Sequence, residues 1–403
     1  MAAKRVVVIG SNFAGLTAAF DVKRKARDLA DVTVITKDPL FTFIPSLIWV
    51  VQGWRRVKHI TFPVANAFAS KGIKTIIAPA LRVDVERNVV ETARGDVPYD
   101  YLVVASGAHL HFDAVPGLGP HGGYTHSICN LPHALQAQLA WLEYLKDPGD
   151  IVIGAVQGAS CFGAGYEFLF NIEYALRKYK LRDKAKITFI TPEPFIGHFG
   201  LGGVKGSEKH VRRFMDKYDI EAIPNVSVEE VTPEVVRLSN GRELPFKFAM
   251  LIPPFLGPQF VRDSPGLGNA AGWIEVDDNY RHKQYENIYA AGIAVALSPP
   301  EPTPIPTGVP KTGYMSEVMG RAAAHNIVAA IKGKKPRPLP TLDITAMCLL
   351  DAGDSGIMMM VDGLFGKKRK REILMPGFVM HLGKIAFETY FMWKSRTGRT
   401  YLP

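Results

Sequence analysis

The chain has 403 residues, 47% of them apolar, with a formal charge of +10. That length suits two or three domains with sizeable cores, and no run approaches the ~18 consecutive apolar residues of a spanning helix. The basic balance fits an anionic lipid surface or an anionic substrate, whereas no helix-turn-helix, zinc-finger or RNP-like pattern points to nucleic acid. Three cysteines, Cys129, Cys161 and Cys348, occur without CxxC or His/Cys spacing, which argues against a disulfide framework and predicts no metal site.

In chain order, Val6-Val7-Val8-Ile9 is too short for a secretory core, has no cleavage site after it, and is read as the first strand. Gly10-Ser11-Asn12-Phe13-Ala14-Gly15 follows, then a helical stretch to about Ala30 and a second strand, Val32-Thr33-Val34-Ile35. Strand, glycine turn, helix and strand in this order predict a doubly wound sheet that binds a dinucleotide. The glycines let the backbone approach a pyrophosphate, and the helix N-terminus favours its charge. Gly10, Asn12, Phe13, Ala14 and Gly15 are therefore candidate cofactor-binding positions. Asn12 stands where the middle glycine is usual. Thr36 and Lys37 stand where an acid usually holds the ribose, and Asp38 falls slightly late for that role.

The segment Tyr99-Asp100-Tyr101-Leu102-Val103-Val104-Ala105-Ser106-Gly107 resembles the strand and small-residue turn that two-dinucleotide-fold flavoproteins place near FAD. Asn287-Ile288-Tyr289-Ala290-Ala291-Gly292 resembles their second FAD motif, with Ile293 in place of the usual aspartate. FAD is the cofactor these segments imply. A second strand–turn–helix unit starts at Ile151-Val152-Ile153-Gly154. Its turn lacks the middle glycine and places Cys161 at the helix opening, where a helix N-terminus is expected to lower a thiol's pKa. The pyridine-nucleotide site of NADH-using relatives is thus read as replaced by a thiol site.

Six prolines between Pro299 and Pro310 suggest a stiff, extended connector. It leads to Lys311-Thr312-Gly313 and a helix to about Ile331. A second proline- and lysine-rich stretch, Lys332 to Pro340, precedes a C-terminal region with the basic run Lys367–Arg371 and an apolar, aromatic tail. The expected architecture is α/β with two Rossmann-like, glutathione-reductase-like domains. Residues 1–115 with 271–331 form the FAD domain, 116–270 the second domain, and 332–403 a membrane-associating region.

With their neighbours, the cysteines give the chain a resemblance to the sulfide:quinone oxidoreductases over essentially its whole length, to about residue 398. The matching segments are Ser127-Ile128-Cys129, Gly158-Ala159-Ser160-Cys161-Phe162-Gly163, Pro194-Phe195-Ile196-Gly197-His198, Pro310-Lys311-Thr312-Gly313-Tyr314-Met315, and Cys348 with Asp351-Ala352-Gly353-Asp354. The resemblance implies that Cys161 and Cys348 flank the flavin and carry sulfur between them. Sulfide attacks the sulfur-bridged pair and leaves a persulfide on Cys161. The freed thiolate of Cys348 adds to the flavin C4a carbon, and further sulfide extends the chain until polysulfide or elemental sulfur leaves. Thiol–disulfide exchange suits this chemistry. Cys129 either aids sulfur release or tethers the flavin.

Glu167, six residues after Cys161 on the same helix, is expected roughly below the thiol as a proton acceptor. His133 and His198 match family histidines near the sulfide path and titrate near neutral pH. Lys311, with Thr312 and Gly313, should face the flavin pyrimidine and stabilise anionic reduced flavin. Gly292 and Ile293 complete the cofactor set.

Phe387, Tyr390 and Phe391 are the candidate quinone contacts. The stretch Phe378–Lys394, mixing apolar residues with His381, Lys384 and Lys394, reads as an amphipathic basic helix entering one leaflet. The Lys367–Arg371 cluster would add about 1 kcal/mol per residue on anionic lipid. A monotopic protein on a bacterial or archaeal cell membrane is implied, and dimers and trimers are common among relatives. Many relatives continue past the position of Pro403 with a further amphipathic helix, so a weaker membrane hold is expected. Two rival readings share the fold. A flavocytochrome c sulfide dehydrogenase flavin subunit also uses a cysteine pair, whereas a type II NADH:quinone oxidoreductase needs an intact second glycine turn.

Overall fold

Short runs of β-branched residues alternate with glycine turns and helices through most of the chain, and a computed structural model describes residues 2–310, 312–366 and 369–402 of it. The first half contributes β1 (Lys4–Ile9), α1 (Phe13–Ala26), β2 (Ala30–Thr36), β3 (Lys74–Ile77) and β4 (Tyr101–Val104). The next portion supplies α2 (Leu131–Tyr144), β5 (Ile151–Ala155), α3 (Phe162–Tyr179), β6 (Ile187–Ile190), β7 (Ile220–Ile223) and β8 (Phe248–Ile252). The chain then returns with β9 (Ile288–Ala290) and α4 (Gly313–Ile331), and finishes with β10 (Ala346–Asp351), β11 (Gly356–Asp362), β12 (Arg371–Pro376) and α5 (Phe378–Arg396).

These strands form two parallel sheets, ordered β9-β4-β1-β2-β3 and β7-β6-β5-β8. Val6 to Val8 and Ile151 to Ile153 are almost wholly buried, as central parallel strands covered on both faces should be. Both dinucleotide-type units are therefore present. The last three strands make a separate antiparallel sheet in the order β10-β11-β12, and α5 packs on β10 and β11.

Backbone contact sets the geometry where the first sheet meets its helices. Gly10 has φ 107°, and a side chain there would overlap the carbonyl oxygen of Ala105 at the end of β4. A side chain at Gly15 would strike the Gly10 carbonyl, and one at Gly320 the carbonyl of Ala14. So α1 and α4 touch backbone to backbone, and their first turns lie side by side. Asn12 caps α1 by accepting from Phe13 N–H (2.9 Å), and Thr312 caps α4 by accepting from Met315 N–H (3.3 Å).

One sequence expectation needs correction. Helix α1 stops at Ala26, because Arg27 takes φ 53° and a 3-10 turn, Arg27–Leu29, follows. The proline segment is more than a connector. Gly158 N–H donates to the Pro306 carbonyl (2.6 Å) and Gly308 N–H donates to the Ala159 carbonyl (2.7 Å), which lays the segment along the second glycine turn. Among the described residues no helix is long and apolar enough to cross a membrane.

The α1–α4 contact leaves no room for a methyl group. Gly320→Ala should cost about 1–3 kcal/mol through overpacking. We expect a lower melting temperature and substoichiometric flavin in the purified variant, and retention of both would show that the helices can separate at no cost.

Candidate thiol and flavin site

The cofactor cradle lies where β1, β4 and β9 end beneath the first turns of α1 and α4. Gly10 and Gly15 keep the turn flat against Ala105, and Gly292 (φ 72°) sits 3.0 Å from Ala14 when given a Cβ. Gly313 has its equivalent position 2.9 Å from the Phe13 ring, so neither side can carry a larger residue. Ser106 Oγ is buried without a hydrogen-bond partner, and Gly107 continues the turn at φ 82°. An orphaned hydroxyl, two adjacent helix N-termini and a side-chain-free turn fit a dinucleotide cofactor.

At the end of β2, Thr36 is buried, with its hydroxyl 2.9 Å from Ser11 Oγ and donating to the Asp38 carbonyl (3.1 Å). Lys37 and Asp38 are exposed. Asn12 also donates from Nδ2 to the Thr42 carbonyl at 3.2 Å, which fixes the residue standing in for the missing glycine. Ile293 lies in the 3-10 turn Gly292–Ala294 beside α4. Lys311 lies outside the described residues, as do Lys367 and Lys368 of the basic run.

The three thiols come from three separate elements and meet. Cys161 is the N-cap of α3, Cys348 lies within β10, and Cys129 stands just ahead of Asn130, the N-cap of α2. A Cβ on Gly163 would sit 3.8 Å from Cys348 Sγ, and Cys161 feels the charges of both other thiols. All are free and half-buried.

Their acidity contradicts the expectation from the helix N-terminus. Burial pushes the Cys161 thiol up to about 12, with Cys129 and Cys348 adding to the rise. Burial likewise raises Cys129 to about 11, against hydrogen bonds from Ser127 and Ile128, and Cys348 to about 11. Desolvation of the thiolate is the largest cause of the rise at all three positions.

The second glycine turn is closed by the chain's own segments. Pro306 and Gly308 occupy its backbone hydrogen bonds, and a side chain at Gly308 would overlap Ser160 Oγ. The acid shortly after β6, a position that commonly binds a ribose, is Glu193, which is wholly buried. Its carboxylate accepts from Tyr166 OH (2.8 Å), Thr191 Oγ1 (2.6 Å) and Phe199 N–H (2.5 Å). Glu193 thus holds the loop that carries His198 and is spent on that task.

His198 is buried, 3.0 Å from Glu301 through Nε2 and accepting from Gly200 N–H at Nδ1 (3.2 Å). Burial lowers its pKa, with Glu301 opposing. His133 lies on α2 with Nδ1 3.3 Å from Ser127 Oγ and Nε2 3.0 Å from His121 Nε2. Burial, helped by His121, pushes its imidazole down to about 4.

Glu167 does not lie below the Cys161 thiol. Six residues along a helix of 3.6 per turn leave two side chains on different faces. Its carboxylate instead accepts from Asp351 N–H (3.0 Å) and pairs with Lys384 of α5.

The tail helix also departs from its sequence reading. Lys384 and Lys394 are each 2% exposed and point inward, to Glu167 and Glu317. They form no basic outer face. Burial pushes Lys384 down to about 7, with Glu388 opposing and Arg55 assisting. Beside it, the Trp49 indole donates to Asp351 (2.8 Å), whose other oxygen lies 2.5 Å from His381 Nδ1. Arg55 donates to Glu388 (2.9 Å), and Ser46 bonds the same carboxylate.

Phe387 is half-buried, 6.0 Å from Phe43 and 5.7 Å from Phe391. Phe391 is enclosed against Phe13 (5.0 Å) and Phe43 (5.4 Å), which makes it part of the cradle's wall. Tyr390 turns towards Trp393 at 6.1 Å. Sequence reasoning missed Trp49, Glu388, Glu317 and the inward role of the lysines, because each pairing joins distant parts of the chain.

The family model described as pyridine nucleotide-disulphide oxidoreductase matches residues 4–316. A sulfide-quinone reductase of Aquifex aeolicus is 38% identical across 98% of this chain and 92% of its own. The chain belongs to the sulfide:quinone oxidoreductases. The crystal structure of the Aquifex family member superimposes with a TM-score of 0.94 over 98% of this chain and 92% of that one. A mitochondrial sulfide:quinone oxidoreductase of Mus musculus shares 22% identity over 88% of this chain and 77% of its own. The fold extends further, since NDH2 of Plasmodium falciparum superimposes with a TM-score of 0.72 at 15% identity, covering 98% of this chain and 96% of that one.

Removing Glu167 strands a buried ammonium. Glu167→Gln should destabilise the protein by about 3–5 kcal/mol, whereas Glu167→Gln with Lys384→Met should recover most of the loss. The folded pKa of Lys384, about 7, lies below its ordinary 10.5, so the unfolded chain binds the extra proton between them. The deficit of Glu167→Gln should therefore shrink as pH rises above 7 and be largest below it. Denaturant unfolding across that range measures this, and a pH-independent deficit would contradict the pairing.

Proposed function

We propose that this chain oxidises sulfide at its cysteines and delivers the electrons to a membrane quinone. One observation carries the reading: three thiols converge at a helix opening whose neighbouring nucleotide turn is filled by the chain's own proline segment. The cradle of Gly10, Gly15, Ser106, Gly292 and Thr312 suits FAD, which supplies a two-electron relay between thiols and quinone when bound.

Raised thiol pKa values leave the cysteines protonated at neutral pH, so a reduced pair is a weak nucleophile. An oxidised, sulfur-bridged Cys161–Cys348 pair needs no ionisation, because hydrosulfide brings its own nucleophile. Attack at Cys161 makes a new S–S bond, breaks the bridge, and leaves a persulfide on Cys161 and a thiolate on Cys348. Closing the Cys161 persulfide onto the Cys348 thiolate would form a trisulfide and release one proton and two electrons, which FAD would accept when bound. Repeated additions lengthen the sulfur chain until polysulfide or elemental sulfur leaves, and Cys129 assists that exchange.

On the acceptor side, Lys384 lies three residues before Phe387 and shares its face of α5. An ammonium titrating near pH 7, backed by Glu167, suits proton delivery to a reduced quinone held against Phe387. The outer surface of the same region exposes Met375, Phe378, Val379, Leu382 and Trp393. That apolar patch suits shallow insertion into one leaflet of a bacterial or archaeal cell membrane.

Cys348→Ser should keep its flavin and its fold yet lose at least ~100-fold in sulfide-dependent reduction of a short-chain ubiquinone. Such a loss matches the removal of an essential nucleophile. Unchanged turnover would overturn the cysteine relay.

A further inference from the structure

Each hydrosulfide that joins the sulfur chain releases a proton among the thiols, whereas the quinone takes up its protons beside Lys384. The released proton has to leave a partly buried chamber. Two of the acid–base candidates near it are already engaged: Glu167 by Lys384 and Asp351 N–H, and His198 by Glu301 and Gly200 N–H. A third route starts at Cys129. Ser127 Oγ accepts from Cys129 N–H at 3.3 Å, and its hydroxyl lowers the Cys129 thiol pKa against burial. It is also 3.3 Å from His133 Nδ1, and His133 Nε2 is 3.0 Å from Nε2 of His121, which is exposed.

We propose that Ser127, His133 and His121 form a proton exit from the sulfur chamber, with His121 as its solvent terminus. This rests on the sulfide-oxidising reading of the thiols. Two imidazole nitrogens 3.0 Å apart share one hydrogen, so one ring donates and the other accepts. The Cys129 thiol passes its proton to Ser127 as it takes up the one released in the chamber, so it stays a thiol, and the Ser127 hydroxyl proton moves to Nδ1 of His133. The Nε2 proton of His133 then goes to His121 and on to water. No oxidant or reductant is needed, and the relay is restored when the His133 ring returns to its starting tautomer.

The surroundings favour passage over storage. Burial keeps His133 neutral, so it does not trap the proton. Asn130 Oδ1 accepts from His133 N–H (2.9 Å), and its Nδ2, 3.3 Å from Nε2, can donate there once the Nε2 proton has left. Phe112 meets the ring edge-on at 5.5 Å. Among the described residues no carboxylate or ammonium is bonded to either histidine, so the relay ends at His121 itself.

The test uses flavin-loaded full-length protein with sulfide and a short-chain ubiquinone. Wild-type turnover first establishes the sulfide reading, and its absence would overturn that reading rather than the relay. Given turnover, His121→Phe should lower kcat by about 10-fold with flavin content and quinone KM unchanged, in keeping with loss of one positioned proton-transfer group. Added imidazole should restore much of the rate in the variant and leave the wild type unaffected. His121→Gln, which keeps a hydrogen bond to His133 but cannot relay, should be as slow as His121→Phe. A kcat within twofold of wild type, a Gln variant at wild-type rate, or a loss that imidazole does not restore would overturn the relay.

Discussion

Two backbone hydrogen bonds, Gly158 N–H to Pro306 and Gly308 N–H to Ala159, decide what the second sheet can do. They fill the turn that would otherwise cradle a pyrophosphate. They also tie the start of α3, and with it Cys161, to the segment that leads into α4 and the flavin cradle. The same polypeptide stretch therefore closes one cofactor site and registers the thiol against the other. Glu193 completes the closure, because its three acceptor contacts leave its carboxylate committed to the chain's own loop.

A second constraint lies in the buried charges that fasten α5. Lys384 meets Glu167 and Lys394 meets Glu317, so the tail helix is pinned to α3 and α4 at two points. Such pairs add little net stability compared with apolar residues, yet losing one partner is costly. Their value here is positional. They hold Phe387 beside an ammonium that titrates near neutral pH, and they leave the apolar face around Phe378 and Val379 outward.

Much of this architecture was legible from the chain. The glycine turns could be read because only a residue without a side chain fits at Gly10 or Gly15, so geometry and residue type are the same information. Cys161 drew notice because a thiol at a helix opening is chemically distinctive, whereas Cys348, within a strand, was singled out only through the family resemblance. Pairings across the chain were not readable. Lys384 looked like part of an outer basic face, because nothing local reveals a carboxylate 217 residues away. The helix position of Cys161 suggested a lowered pKa, but burial raised it, and burial is a property of the packed fold. His121 carried no local signal at all.

In the proposed cycle the flavin takes electrons from sulfide through the cysteines and not from a pyridine nucleotide through the second sheet. Anaerobic absorbance of the flavin-loaded protein tests this most directly. Near-stoichiometric sulfide should bleach the flavin band within the time of mixing, and NADH in large excess should leave it unchanged. Rapid bleaching by NADH with no response to sulfide would contradict the account.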